Sequence, residues 1–402
     1  MGLFNFFGSK KIDVTRNKDG TFWYEIQNNA FGNSQKYLDW SLNNPVLFSI
    51  IALRSKMISQ MKITHLDSQG NVIENSDVLK LLKQPNYFQS QEDFMFQLAW
   101  FLSVNGNNYC YKKQPLSTQL PKALYNLIPS EIDFDKVMDI DKFITDDKDF
   151  KEVGKKTIKY TLDSQEYKLP INSIIPFYDI TNGLTCNSLL QSPSRVGAIS
   201  KTLQNIDENL KSKNLNLKMS QKYLGVNKNI ANGTSTPLRQ GDKDLIERTL
   251  MSKSVLTTNG DIEVKHLIGD LKRLYLDEQF AQDAQTCLLA FGLNNDVLNY
   301  FAGGSSTFEN QEKGEQRFVQ NEIQGVSNNI VNSIASSLGL IDKGESLQAS
   351  FDHLPVMQSL IFEKITTLTE LQNSIKIGLE NGTIEANEAK EMVKNLRIKL
   401  GL

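Results

Sequence analysis

The sequence predicts an α+β, helix-rich chain. Three observations carry that prediction: apolar residues recur at helical spacing in several long runs, short β-prone segments lie between them, and turn-forming clusters punctuate both. The first run starts at Asn44-Pro45 and places Leu47, Ile50, Ile51, Arg54, Met57, Ile58 and Met61 on one side. It gives way to a strand-like Lys62-Ile63-Thr64-His65-Leu66, closed by the turn Asp67-Ser68-Gln69-Gly70. A short helix over Asp77 to Lys83 ends at Gln84-Pro85-Asn86. Ser90 then caps a helix whose Phe94, Leu98 and Leu102 share a buried face. Beyond Gly106, Tyr109 to Lys112 and Ala123 to Ile128 read as strands of a small sheet.

Residues Glu131 to Glu152 hold nine acids against four lysines, with apolar residues interleaved. An EF-hand needs a central glycine that this stretch lacks, so it reads as a solvated hairpin or rim. Gly154-Lys155 is followed by Lys156 where a phosphate loop needs Ser or Thr, and the upstream glycine position holds Asp149, so the Walker A pattern fails.

Pro193 stands where a helix can begin, and Val196, Ile199, Leu203, Ile206 and Leu210 repeat at spacings of three and four, a heptad seam. A helix from Arg195 to Met219 would extend about 37 Å. A matching helix runs from Leu276 through Phe280, Ala284, Cys287 and Leu288 to Phe291, and the two have the pattern to pair antiparallel. The alternative is that the seam simply covers its own domain's core. Between them, Gln221 to Asp270 form a turn-rich insert with one short helix from Asp242 to Met251. A third long helix begins near Asn310, carries Val319, Ile323, Val326, Ile330, Ile334 and Leu338 on one face, and ends at Gly339. A strand from Leu347 to Phe351 and helices over Met357 to Gly378 and Ala386 to Leu400 complete the chain. Between the second and third helices lies Asn294 to Glu309, an exposed loop with an aromatic pair beside a glycine run.

Lysine plus arginine number 44 against 46 acids in 402 residues, a formal charge of −2, so no basic excess advertises tight nucleic-acid or membrane binding. Each fixed cation on a phosphate adds salt-sensitive grip, so near neutrality speaks against a chain that holds nucleic acid fast. Cys110, Cys186 and Cys287 form no CxxC pair, which favours a reducing compartment and argues against zinc or a disulfide framework. No stretch reaches the roughly 20 apolar residues of a membrane span. His65, His266 and His353 have no metal-ligand spacing, and no Gly-x-Ser-x-Gly elbow occurs. No catalytic residue, metal or cofactor is therefore expected.

Several stretches, in order, resemble the HK97-type portal family of tailed phages. They are the Val46 to Ile63 helix leading into a strand, Leu81-Leu82-Lys83-Gln84-Pro85-Asn86, Asn105-Gly106-Asn107-Asn108-Tyr109, Ala123 to Pro129, and Glu380-Asn381-Gly382-Thr383-Ile384-Glu385-Ala386-Asn387-Glu388-Ala389 near the C-terminus. The family's Gly-Leu-Ser-Pro punctuation is altered here to Gly183-Leu184-Thr185-Cys186-Asn187-Ser188, and its Gly-hydrophobic-Pro after the second stem helix is replaced by Gly292-Leu293-Asn294.

The resemblance implies a portal-like subunit with a mixed α/β wing (1–192), a two-helix stem (193–219 and 274–292), a small α/β clip (220–273), a tunnel loop (293–309), a long wing helix and strand (310–356) and C-terminal crown-side helices (357–402). Such subunits assemble into a ring, commonly a dodecamer, at one capsid vertex. The implied partners are further copies of the chain, double-stranded DNA, the large terminase subunit, the major capsid protein and a head-completion adaptor. The implied location is the virion, after assembly in the host cytoplasm. The tunnel loop then presents Asn299, Tyr300, Phe301, Gly303, Gly304, Ser305 and Ser306 to DNA, although Tyr300 and Phe301 serve equally well as anchors of the loop. Val196, Ile199, Leu203, Ile206, Leu210, Phe280, Cys287 and Leu288 pack the stem. In the clip, Lys243, Arg248 and Lys253 are candidates to face the terminase or adaptor, or form an ordinary solvated helix with Asp242, Asp244 and Glu247. The rival readings are a ring-forming scaffold or adaptor without a channel, and a metal-dependent nucleic-acid enzyme built on Asp133 and Asp135.

Overall fold

A computed structural model describes residues 13–16, 22–25, 34–115, 120–133, 156–181, 191–220, 223–227, 241, 262–266, 276–293, 308–381, 388–390 and 392–393. The chain divides into two units, one of Met1–Ala198 with Asn299–Leu402 and one of Ile199–Leu298.

The first unit opens with an antiparallel hairpin, β1 (Asp13–Arg16) and β2 (Phe22–Glu25). Helix α1 (Ser34–Asn43) gives way to α2 (Pro45–Ser59) at Asn44, whose side chain accepts from the amides of Val46 and Leu47 at 3.2 and 3.1 Å, with Pro45 just inside the start. After β3 (Lys62–Leu66), Ser76 caps α3 (Asp77–Lys83), and Ser90 with Asp93 forms a reciprocal capping box on α4 (Gln91–Asn105). Helix α4 stops at Gly106, where φ is +77° and any Cβ would collide with the Pro193 carbonyl, so only glycine fits. Around that junction Ser194 Oγ donates to Val104 O at 2.6 Å and Asn107 Nδ2 to Ser192 O at 3.2 Å.

Strands β4 (Asn107–Lys113), β5 (Ala123–Leu127), β6 (Ile132–Asp133), β7 (Thr157–Leu162), β8 (Gln165–Pro170) and β9 (Ile174–Tyr178) make two antiparallel sheets, ordered β5-β4-β9 and β6-β7-β8. In the first, Tyr109 stands opposite Leu127 on one side and Pro176 on the other, so proline sits on an edge strand, where its missing N–H is tolerated. The β7–β8 turn places Asp163 and Ser164 at φ of +48° and +66°, the signs a two-residue hairpin turn of the primed type requires. Helix α5 (Arg195–Ala198) closes this part.

The second unit contains α6 (Ser200–Ser220), the antiparallel strands β10 (Tyr223–Asn227) and β11 (Ile262–His266), and α7 (Leu276–Ala290). The sequence predicts one helix from Arg195 to Met219. The structure corrects this: the helix breaks at Ile199, between α5 and α6, two residues after Gly197, the weakest helix former in the run.

The first unit resumes with α8 (Phe308–Phe318), a π turn (Val319–Ile323) and α9 (Gln324–Ser337), continuous with one another, followed by β12 (Ser346–Ser350) and α10 (Pro355–Glu380). Strand β12 pairs antiparallel with β3, Ser346 opposite Leu66. Its core is built where α2 packs on α4, with Leu47, Ile51, Ile58, Phe94, Leu98 and Leu102 fully buried. Each such side chain contributes about 1.5–3 kcal/mol of burial.

Cys110 and Cys287 are buried free thiols, and burial pushes the pKa of Cys287 up to about 12 and that of Cys110 upward as well. Neither should alkylate in native protein at about pH 8, and both should once the chain is denatured, because the thiolate is the reactive form. Peptide mass spectrometry after iodoacetamide treatment checks this.

Candidate functional site

In the second unit the two long helices pack on each other. Leu203 and Ile206 of α6 and Cys287 and Leu288 of α7 are buried, while Leu210 and Phe280 are half-buried. Lys213 Nζ lies 5.2 Å from the centre of the Phe280 ring, a cation–π contact. Because Lys213 is late in α6 and Phe280 early in α7, the helices run antiparallel. Ile199, at the break, is buried, and Val196 is buried in α5 of the first unit.

The densest electrostatic feature lies in the first unit. Arg54 of α2, with no exposed side-chain surface, pairs through Nη2 with the equally buried Asp179 and with Glu322 Oε1 at 2.9 Å, and donates from Nη1 to Ser103 Oγ of α4 at 2.6 Å. Arg195 of α5 donates from Nε to Asp179 Oδ2 at 2.6 Å and from Nη2 to Glu322 Oε1 at 2.7 Å. Burial alone pulls the Arg195 pKa down, but the neighbouring Asp179 and Glu322 hold it above its ordinary value. Glu322 sits on the π turn, where the widened helix brings its carboxylate to both guanidinium groups. Of these four groups the sequence flags Arg54 alone: it is the one charge on the apolar side of the α2 pattern. Asp179 and Glu322 carry no local signal.

At the far end of α9, Lys112 of β4 donates from Nζ to the Ser337 carbonyl at 2.8 Å, where a cation meets the negative end of a helix. His65 of β3 is also structural, buried between Ser76 Oγ at 2.6 Å and Glu345 Oε2 at 3.1 Å. Among the described residues no group of three or more His, Cys, Asp or Glu stands close enough to hold a metal, and no helix is long and apolar enough to cross a membrane. Asp133 is exposed in β6 and Asp135 lies outside the described residues. So do Asn299, Tyr300, Phe301, Gly303, Gly304, Ser305 and Ser306, the clip candidates Lys243, Arg248 and Lys253, and most of the acidic stretch before Lys156.

The phage portal protein family model matches residues 45–393, and the chain belongs to that family. The family is structural rather than catalytic, which places the chain outside the enzymes. Solved structures agree on the fold. The chain is similar to a protein in the neck of a native gene transfer agent particle computed with C12 symmetry, at 16% identity and a TM-score of 0.62, over 92% of this chain and 93% of that one. It is also similar to an HK97 family phage portal protein from Corynebacterium diphtheriae, at 12% identity and a TM-score of 0.50, over 77% of this chain and 93% of that one. No curated protein matches the chain.

Two predictions follow from the packing. Asp179→Asn leaves the fully buried Arg54 and the partly buried Arg195 facing one carboxylate and should cost about 3–5 kcal/mol. Lys56→Ala, which removes the pair between Lys56 and Glu92 with side chains 57% and 53% exposed, should cost below about 1 kcal/mol. Urea unfolding of both variants tests the contrast. Leu203→Asp with Ile206→Asp puts two charges into the α6–α7 contact and should destabilise it by several kcal/mol, on the order of 3–5. Loss of helical circular dichroism at lower denaturant measures it.

Proposed function

We propose that the chain is the subunit of a ring, of twelve copies, forming the channel at one capsid vertex through which double-stranded DNA is packaged, retained and ejected. The observation that carries this reading is the match of the family model over residues 45–393, supported by a fold shared along 92% of the chain with a component of a C12-symmetric particle neck. On this reading residues 1–192 and 310–356 supply the wing, the α6–α7 pair with the segment from 193 the stem, 220–273 the clip, 293–309 the tunnel loop and 357–402 the crown side. The clip, through Lys243, Arg248 and Lys253, docks the large terminase during packaging and the head-completion adaptor afterwards, and the wing meets the major capsid protein. The ring forms in the host cytoplasm and ends in the virion.

The antiparallel α6–α7 pair suits a rigid stem, because its buried seam holds each helix against the other. Helix α8 starts at Phe308, two residues before the Asn310 that the sequence suggests, so the segment that joins the pair to α8–α9 runs from 294 to 307, and glycine at 303 and 304 puts no side chain in the way of a backbone following a duplex whose symmetry differs from the ring's. Asn299, Ser305 and Ser306 offer phosphate oxygens neutral contacts without the salt-sensitive grip of lysine.

Replacing Tyr300 to Ser306 with a short Gly-Ser link should leave ring assembly intact and impair packaging or retention of the genome. Complementation of a portal-null phage, with rings, procapsids and full-length packaged DNA scored separately, makes the test. Normal packaging and retention would remove the loop from the channel's working parts, and wild-type protein without a central hole by electron microscopy would remove the channel.

A further inference from the structure

Tyr87 and Phe88 are 86% and 84% exposed, the most exposed large apolar side chains among the described residues. They form the corners of a tight turn whose ends, Asn86 and Gln89, are bridged, and their rings meet edge-on at 5.2 Å. Turn corners ordinarily carry Gly, Pro, Asn, Asp or Ser, so two aromatic rings there are not explained by the turn. Nor is the turn loose. Buried Asn86 donates from Nδ2 to Leu124 O at 3.0 Å and to Gln89 Oε1 at 2.8 Å, and accepts from Phe88 N at 3.0 Å. Gln89 Nε2 in turn donates to Gln97 Oε1 of α4 at 2.9 Å. A protruding aromatic pair fixed in this way has little freedom left to lose on contact, which is the property of an interface anchor.

The anchor is stitched to one edge of the β5-β4-β9 sheet: Leu124 N of β5 donates to Pro85 O at 2.8 Å. At the other edge, beside β9, lies a groove of about 510 Å³. Pro176, Tyr178 and Ile180 form one wall and Asn332, Ser333 and Ser336 of α9 the other. Its volume falls in the range that holds a compact organic group. Its lining is apolar at one wall and neutral, amide and hydroxyl, at the other, so it has no charge to hold an anion or a cation and suits aromatic rings with one phenolic hydroxyl.

We propose that the Tyr87–Phe88 turn of one copy seats in the β9–α9 groove of a second copy, and that this contact joins neighbouring subunits around the ring. The inference rests on the ring reading above. A ring of more than two copies of one subunit needs each copy to carry both halves of a head-to-tail contact on different faces, with a rotation that closes. An anchor at β5 and a socket at β9, on opposite edges of one sheet, meet that requirement. The C12 symmetry of the particle neck that shares this fold calls for the same kind of contact.

The experiment uses full-length chains and native mass spectrometry over a dilution series. The anchorless variant is Tyr87→Ala with Phe88→Ala, and the socket-blocked variant is Ser336→Trp, at an exposed position of the groove wall. Each alone should dissociate at a concentration at least about tenfold higher than wild type, while keeping wild-type circular dichroism. Mixed at a concentration where neither associates alone, they should give heterodimers that stop at two chains, because one intact anchor and one intact socket remain. A photo-crosslinking phenylalanine at position 88 should attach to residues 329–341 of an isotopically distinct copy. Wild-type rings matched in dilution stability by the anchorless variant, or variants that weaken rings yet give no heterodimer, overturn the contact and leave the ring. Wild-type protein that stays monomeric at every concentration overturns the ring reading and the contact together.

Discussion

A network of two arginines and two carboxylates, with Arg54 and Asp179 shut away from water and Arg195 and Glu322 at its partly exposed margin, fixes the arrangement of the first unit. Once Arg54 and Asp179 lie in the interior, each is tolerable only while the other is present, since an isolated buried charge is far costlier than a lost contact. The partners come from distant parts of the chain: Asp179 is 125 residues from Arg54 and Glu322 is 268. The network therefore specifies how α2, the residue after β9, α5 and the continuous α8–α9 helix meet. Apolar packing between α2 and α4 tolerates small slips of that kind. Two guanidinium groups sharing two carboxylates do not.

The π turn is the local adjustment that this arrangement demands. A regular helix through Val319–Ile323 would advance the later residues by a different rotation, and Glu322 would not face the same side as it does now. The turn also keeps Phe318, Val319 and Ile323 buried together, so the helix holds its apolar contacts on both sides of the irregularity. Helix α9 then continues with Val326, Ile330 and Ile334 in the core. Lys112, reaching the Ser337 carbonyl, fastens the far end of that helix to the sheet.

Local chemistry wrote the helices into the sequence plainly. Asn44 before Pro45 and Ser90 before Gln91 mark starts that the structure keeps, and Lys62–Leu66 and Asp77–Lys83 have the predicted bounds. Sheet order was not legible, because pairing is non-local: nothing in Ile174–Tyr178 says that it borders Asn107 to Tyr111, and nothing in Ser346–Ser350 points to Lys62. The break at Ile199 and the π turn were hidden for a related reason, since both answer to tertiary neighbours while the 3.6-residue apolar period runs through them undisturbed. Of the candidate site, the helix seam was visible as a heptad, whereas the ionic network needed three-dimensional proximity. The exposure of Tyr87 and Phe88 has no local signature in the sequence beyond their place after Gln84-Pro85-Asn86.

The pairing of β3 with β12 has a consequence for synthesis. His65 and Glu345, joined across that pair, are 280 residues apart, and the whole second unit is made between them. At ordinary translation rates β3 waits on the order of tens of seconds for its partner strand. The wall of the groove supplied by α9 is translated just before that strand arrives. A nascent chain on the ribosome thus carries the aromatic turn long before it owns a place to receive one. On the proposed contact, two nascent chains that both lack α9 have aromatic turns but no groove, so they cannot be linked to each other through it.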